Sequence, residues 1–315
     1  MTLKLSIVVP VYRSQEILPE LVEQIARSTS ALGLTGCFEL LLVNDASPDD
    51  SWKVITELAM RYDYVRGICL QKNFGQHNAT MAGLNHARGE IIIVMDDDLQ
   101  HPPAAIGDLI RAIEAGADVC YTRYRGRQHA RWKILGSRFN DWVASLLLEK
   151  PRGLYLSSLK AMRRALVREV IKYDGPYAYL DGLILEVTRS ISIVDINHQR
   201  RHQGAGNYNL RRSVSLWLRM ATSFSVFPLR VATVLGFSMT GLSFLVIAVV
   251  VINKLVHPEV EAGWTSMIAA VLFIGGVQTF CIGMLGEYLG RAYLKLNGKP
   301  QFVVRTTTWT AGGSQ

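Results

Sequence analysis

The chain of 315 residues lacks both glycine-rich runs that cradle phosphates in α/β proteins. Neither G-x-G-x-x-G nor G-x-x-x-x-G-K-[ST] occurs in it, which removes the dinucleotide-binding and P-loop readings. Cysteine is scarce. Cys37, Cys69, Cys120 and Cys281 lie far apart with no C-x-x-C pair. That excludes a disulfide framework and a thiolate zinc site, and suits a reducing compartment. No signal-peptide pattern precedes the first strand-like run, and no repeat or low-complexity tract is found. Acids are outnumbered, 26 against 34 bases, leaving a net charge of +8. The excess points to an anionic partner: nucleic acid, a phosphorylated substrate or a membrane surface.

Charge is missing altogether from Val231–Ile252 and from Trp264–Gly286. At about 1.5 Å per residue, each run is long enough to cross a hydrocarbon core of roughly 30 Å. Two transmembrane helices are therefore expected. The link Asn253–Gly263 carries Lys254, Glu259 and Glu261, whereas Arg211, Arg212, Arg219, Arg230, Arg291, Lys295, Lys299 and Arg305 flank the pair outside. The positive-inside rule then puts both termini in the cytoplasm. Upstream, Leu210, Val214, Trp217, Leu218, Ala221 and Phe224 share one helical face, as in a helix lying in the membrane interface. Ala130–Leu148 has a similar stripe, and Gly275, Gly276, Gly283 and Gly286 permit close helix packing. The predicted organisation is a globular domain over 1–208, an interfacial helix over 209–229, a helical hairpin over 230–290 and a tail over 291–315.

The first 205 residues alternate short apolar runs with helical periodicity. Leu5–Val11, Glu39–Val43, Ile68–Leu70, Ile91–Met95 and Val119–Thr122 read as buried strands. Between them Ile17, Leu18, Leu21, Val22 and Ile25, then Trp52, Ile55, Leu58, Ala59 and Tyr62, then Ile106, Leu109, Ile110 and Ile113 recur at helical spacing. Ser47, with Pro48 and two acids behind it, reads as a helix cap. Such alternation predicts an α/β fold with a mostly parallel sheet covered on both faces, and a ligand crevice beyond the carboxyl ends of the strands.

Three of those ends carry polar signals: Tyr12-Arg13, Asn44-Asp45 and Asp96-Asp97-Asp98. Clustered carboxylates at the end of a buried strand need a cation or open water. Hard oxygens at this density suit Mg²⁺ or Mn²⁺ shared with substrate phosphates. The competing reading is a solvated acidic turn.

Val8-Val9-Pro10-Val11-Tyr12, Val43-Asn44-Asp45-Ala46-Ser47-Pro48-Asp49-Asp50-Ser51 and Met95-Asp96-Asp97-Asp98-Leu99-Gln100-His101-Pro102-Pro103, with Lys72-Asn73-Phe74-Gly75, resemble glycosyltransferase family 2 and its GT-A fold. The nearest likeness is to its polyprenyl-phosphate branch, which includes dolichyl-phosphate mannose synthase and bacterial undecaprenyl-phosphate sugar transferases. The resemblance implies a nucleotide-sugar donor, with UDP favoured, a polyprenyl phosphate acceptor, inversion and Mg²⁺ or Mn²⁺. It also implies a multi-pass protein of the bacterial inner membrane with a cytoplasmic catalytic domain, a tetramer, a role in cell-envelope glycan or lipopolysaccharide synthesis, and no nucleic acid partner. Carried over by position, Pro10, Tyr12, Asp45, Asn73, Asp96 and Asp97 would bind the donor. Asp96, Asp98 and Gln100 would hold the metal. Asp98, Asp181 and Arg201 would be catalytic. Arg127, Arg131, Arg200, Arg201, His202 and Tyr208 would hold the acceptor phosphate. In an extended stretch Asp96, Asp98 and Gln100 would point one way and Asp97 the other.

The chain departs from the family pattern at several places. Arg13 stands where Asn is usual, and Asn44 where a second acid is usual. Gly153-Leu154-Tyr155-Leu156-Ser157-Ser158 stands where many relatives carry Asp-x-Gly, and Gly206-Asn207 replace Ser-Lys. Asp181, at the start of a helical run, is the candidate substitute base, with a plain helix cap as the alternative. Two other functions stay open: a polysaccharide-extending transferase, and a catalytically silent nucleotide-sugar-binding scaffold.

Overall fold

In this computed structural model the described residues are 3–125, 154–197, 227–256 and 263–309. The chain divides into two compact units, Met1–Asn207 with Gly298–Gln315, and Tyr208–Asn297.

The first unit is built on one sheet of eight strands in the order β7-β5-β6-β4-β1-β2-β3-β8. The strands are β1 (Leu5–Val11), β2 (Phe38–Asn44), β3 (Val65–Leu70), β4 (Ile91–Val94), β5 (Val119–Arg125), β6 (Lys160–Arg163), β7 (Ile191–Asn197) and β8 (Val304–Thr307). β1 pairs in parallel with β2 and β4, β2 with β3, and β5 with β7. β6 runs antiparallel between β4 and β5, and β8 antiparallel along β3. Every residue of β1 and β2 is buried. Strands covered on both faces need apolar residues at successive positions, which is why these two read as unbroken runs.

The helices of this unit are α1 (Leu18–Ala31), α2 (Ser51–Arg61), α3 (Gln76–His86), α4 (Ile106–Glu114), α5 (Arg164–Val170) and α6 (Leu180–Val187). α1 buries Leu18, Leu21, Val22 and Ile25, and α4 buries Ile106, Leu109 and Ile113, as their spacing predicts. Each such side chain contributes roughly 1.5–3 kcal/mol. α3 is different, with Asn78 through Leu84 all buried. Its small residues bring it close to the sheet: a Cβ on Gly83 would lie 2.3 Å from Val8 Cγ1. α2 starts at Ser51, not at Ser47. The Ser47 hydroxyl instead accepts the Arg13 N–H at 2.6 Å, and the Ser51 hydroxyl accepts the Ser14 N–H at 3.1 Å. The expected cap is thus spent on joining two strand ends.

β8 brings the end of the chain back to the sheet. Thr308 Oγ1 accepts the Gly67 N–H at 2.9 Å, and the Arg66 guanidinium lies 3.8 Å from the Trp309 ring centroid. Gln301 donates to the carbonyls of Tyr173 and Gly175 at 3.2 and 3.1 Å.

The second unit contains α7 (Phe227–Val256, 30 residues) and α8 (Trp264–Leu296, 33 residues). Cys281 Sγ reaches the carbonyl of Ala232 at 3.6 Å. Phe237, Phe244, Leu245, Val271 and Ile282 are exposed. Counted over the described side chains alone, no helix is long and apolar enough to cross a membrane. Several side chains of both helices lie outside that set, and the uncharged runs belong to the full sequence. A Cβ on Gly275, Gly276, Gly283 or Gly286 would meet nothing within 4 Å among the described residues. The expected interfacial helix over 209–229 falls outside the described residues except at its last positions, and Ala130–Leu148 lies outside them entirely.

Candidate functional site

The chain steps outward from β1 to β2 and β3, then returns to β4 on the other side of β1. That reversal opens a crevice beyond the carboxyl ends of the strands, the usual ligand position in open α/β sheets. Backbone strain collects at the same rim. Among the described residues the non-glycine positions with positive φ are Arg13 (61°), Ala46 (49°) and Leu99 (57°). They follow β1, β2 and β4, and Gly75 (88°) follows β3. A left-handed L-residue costs roughly 1–2 kcal/mol, and such strain clusters where ligands are held.

Asp45 leaves the end of β2 and turns inward. It is only 3% exposed. Its two carboxylate oxygens accept the N–H groups of Phe74 at 2.7 Å and Gly75 at 2.9 Å, while its own N–H donates to Val11 O at 3.0 Å. Burial pushes its carboxyl above the usual range, against the pull of those two backbone donors. The side chain therefore fixes the loop after β3. Asn44 beside it is also buried, accepting the Ser47 N–H at 3.2 Å.

The three acids after β4 take three different environments. Asp96 Oδ1 accepts Gln76 Nε2 at 2.7 Å, and Oδ2 lies 3.4 Å from His101 Nε2. His101 is buried and its Nε2 also sits 2.9 Å from Ser158 Oγ. Burial pushes the Asp96 carboxyl up, yet the hydrogen bonds from His101 and Ser158 outweigh it and hold the group below the usual range. Asp97 Oδ2 accepts the Tyr12 N–H at 3.1 Å and the Ser14 hydroxyl, which ties the end of β4 to the end of β1. Burial raises its carboxyl despite those donors. Asp98 Oδ1 accepts the Gln100 N–H at 3.1 Å in a local turn. β4 ends at Val94 and Leu99 is left-handed, so Asp96 to Gln100 form a turn and not an extended stretch. The expected alternation of their side chains does not hold there.

Of the other expected donor residues, Pro10 is buried within β1, Asn73 is exposed, and Tyr12 is 44% exposed with the Arg13 guanidinium 5.5 Å from its ring centroid. Asp181 lies in the first turn of α6 and is 7% exposed. Its Oδ1 accepts the Tyr121 hydroxyl at 3.0 Å and pairs with Lys160. Its carboxylate is thus already engaged. Lys160 and Tyr121 carry no motif. The one available signal is a lysine inside the run Leu159–Met162, where a buried charge demands a partner. Arg127, Arg131, Arg200, Arg201, His202 and Tyr208 lie outside the described residues.

Comparison with known proteins bears on this crevice. The family model described as Glycosyl transferase family 2 matches residues 6–171, and one described as GtrB C-terminal hairpin matches residues 227–292. An undecaprenyl-phosphate 4-deoxy-4-formamido-L-arabinose transferase of Yersinia pestis (strain Pestoides F) is 34% identical over 306 residues, covering 96% of this chain and 93% of that protein. One of the same description from Proteus mirabilis (strain HI4320) is 31% identical over 305 residues, again covering 96% and 93%. Among solved structures, glucosyl-3-phosphoglycerate synthase from Mycobacterium tuberculosis, in complex with Mn²⁺, UDP-glucose and phosphoglyceric acid, superposes with a TM-score of 0.51 at 16% identity. The match covers 70% of this chain and 78% of that one. Mannosyl-3-phosphoglycerate synthase from Rubrobacter xylanophilus gives 0.51 at 17% identity, covering 70% and 73%. The shared architecture is the GT-A type α/β fold.

Proposed function

The chain belongs to glycosyl transferase family 2, and we propose that it moves a sugar from a nucleoside diphosphate donor, UDP favoured, to undecaprenyl phosphate or a similar polyprenyl phosphate. The observation that carries this reading is that the strained ends of β1, β2 and β4 are tied to one another at the acid turn, in a chain matching undecaprenyl-phosphate sugar transferases along 96% of its length.

Among the described residues no group of three or more His, Cys, Asp or Glu is arranged to hold a metal ion by itself. Magnesium-like ions need less than that, since one or two carboxylates plus substrate phosphates suffice. We assign such an ion to the hard oxygens of Asp96, Asp98 and Gln100, completed by the donor diphosphate. When bound, such an ion draws charge off the departing nucleotide. Asp97 keeps Tyr12 and Ser14 in register with the acid turn. Asp45 acts through the loop it fixes, which carries Asn73 and Phe74. The acceptor needs no strong base. A phosphate monoester has a second pKa near 6, so at neutral pH it is already anionic. It needs positioning and charge compensation, which we assign to Arg201 with Arg127, Arg131, Arg200, His202 and Tyr208. In-line attack on the anomeric carbon then inverts it. With the acceptor in this state, the engaged carboxylate of Asp181 is no obstacle to turnover.

The uncharged runs within α7 and α8 are read as two membrane spans, with the catalytic unit and both termini on the cytoplasmic side. The test is to incubate membranes holding the protein with undecaprenyl phosphate and a panel of UDP- and GDP-sugars, then identify the lipid product by mass spectrometry. A glycosyl-phospho-lipid from one donor is expected. Hydrolysis without a lipid product, or no donor use across the panel, would overturn the reading.

A further inference from the structure

Lys160 is 3% exposed, in the middle of the sheet between β4 and β5. It stands opposite Val94, the last residue of β4, and so at the base of the turn that carries Asp96. Asp181, reaching in from α6, pairs with its ammonium. The Tyr121 hydroxyl, from the strand on the other side, donates to the same oxygen of Asp181 at 3.0 Å. The Lys160 ammonium also lies 5.2 Å from the Tyr121 ring centroid. Three elements thus fix one cation where β4 hands over to its acids. A buried ion pair is a poor device for stability alone, since apolar residues of similar volume usually serve as well or better. A cation at the base of the turn that carries clustered carboxylates has an electrostatic use.

We propose that Lys160 is a positioning residue of the donor site, its ammonium supplying a buried counter-charge beneath Asp96 that Asp181 and Tyr121 hold in place. Asp181 is then the anchor of that cation, not a base. The inference deepens the proposed function and rests on it for the nucleoside diphosphate ligand.

The test separates charge from packing. Lys160→Met leaves Asp181 unpaired and will itself destabilise the unit. The double variant Lys160→Met/Asp181→Leu removes the whole pair and fills its volume with apolar atoms. Thermal unfolding, UDP binding by calorimetry with Mn²⁺ present, and transfer kinetics are measured on both and on the wild-type chain. Expected for the double variant is wild-type-like unfolding with weakened UDP binding and a raised donor KM; because the pair it removes is net neutral, Lys160→Met, which leaves the Asp181 charge behind, should weaken UDP binding further. A double variant that binds UDP and transfers sugar like the wild-type chain would overturn the proposal. So would one that cannot be recovered folded, because the pair would then be a staple of the fold. A wild-type chain that binds UDP yet glycosylates no polyprenyl phosphate would sink the proposed reaction and leave the UDP comparison readable.

Discussion

Replacing Asp45 with Asn isolates what this carboxylate does. Its two oxygens each accept one backbone N–H, from Phe74 at 2.7 Å and Gly75 at 2.9 Å. Asn keeps one acceptor and presents an NH₂ group in place of the other. One loop amide therefore loses its partner and faces a donor. A hydrogen bond to a charged group contributes about 1.5–3 kcal/mol. Part of that loss is recovered, because burial penalises the ionised carboxyl, as its raised pKa records, and a neutral amide escapes the penalty. A net weakening of about 2 kcal/mol corresponds to roughly thirtyfold at 1.4 kcal/mol per decade. Hydrogen exchange reads this directly. The amides of Phe74 and Gly75 should exchange about thirtyfold faster, while those of Ile7 and Val9 in the sheet centre keep their protection. The donor KM should rise with little change in kcat. Unchanged exchange at Phe74 and Gly75 would refute the assignment of Asp45 to loop fixation.

Asp98→Ala should abolish transfer, measured with radiolabelled donor, and cost under about 1 kcal/mol of stability, because its carboxylate supports a local turn. Ala46 sits at φ 49°, so Ala46→Gly should hold or raise the denaturant midpoint while Ala46→Val lowers stability by about 1–2 kcal/mol. Gly89→Ala would place a Cβ 2.5 Å from Ser6 N and 2.6 Å from Leu5 C, backbone that cannot step aside. It should cost about 3 kcal/mol, the upper range for overpacking, and show as a lower midpoint with poor recovery of folded protein.

The central sheet was legible because its strands are buried on both faces. Leu5–Val11 is an uninterrupted apolar run and forms β1 with the expected bounds, and β2 and β3 extend theirs by a residue or more. Three strands escaped notice and none has this signature; in β7, Ser192 and Asp195 interrupt the apolar run. β6 begins with Lys160 and ends with Arg163, and β8 is Val-Arg-Thr-Thr on a sheet edge. Their pairing partners, not their composition, make them strands. The motifs located the rim of the crevice, but not what each side chain does there. Asp45, Ser47 and Asp97 all bond backbone groups of neighbouring loops. Such bonds join residues 29 to 85 positions apart, a relation that local pattern does not carry. Lys160 and Asp181 were invisible as a pair for the same reason.

Because β8 is encoded after the two long helices, the catalytic sheet cannot be completed until both helices have been made. During synthesis β3 leaves the ribosome with its outer edge bare, and that edge stays open until more than two hundred further residues have emerged, counting from Leu70 to Val304. An unpaired strand edge invites association with other chains. The interval before the last strand docks is therefore set by the time it takes to make the two long helices.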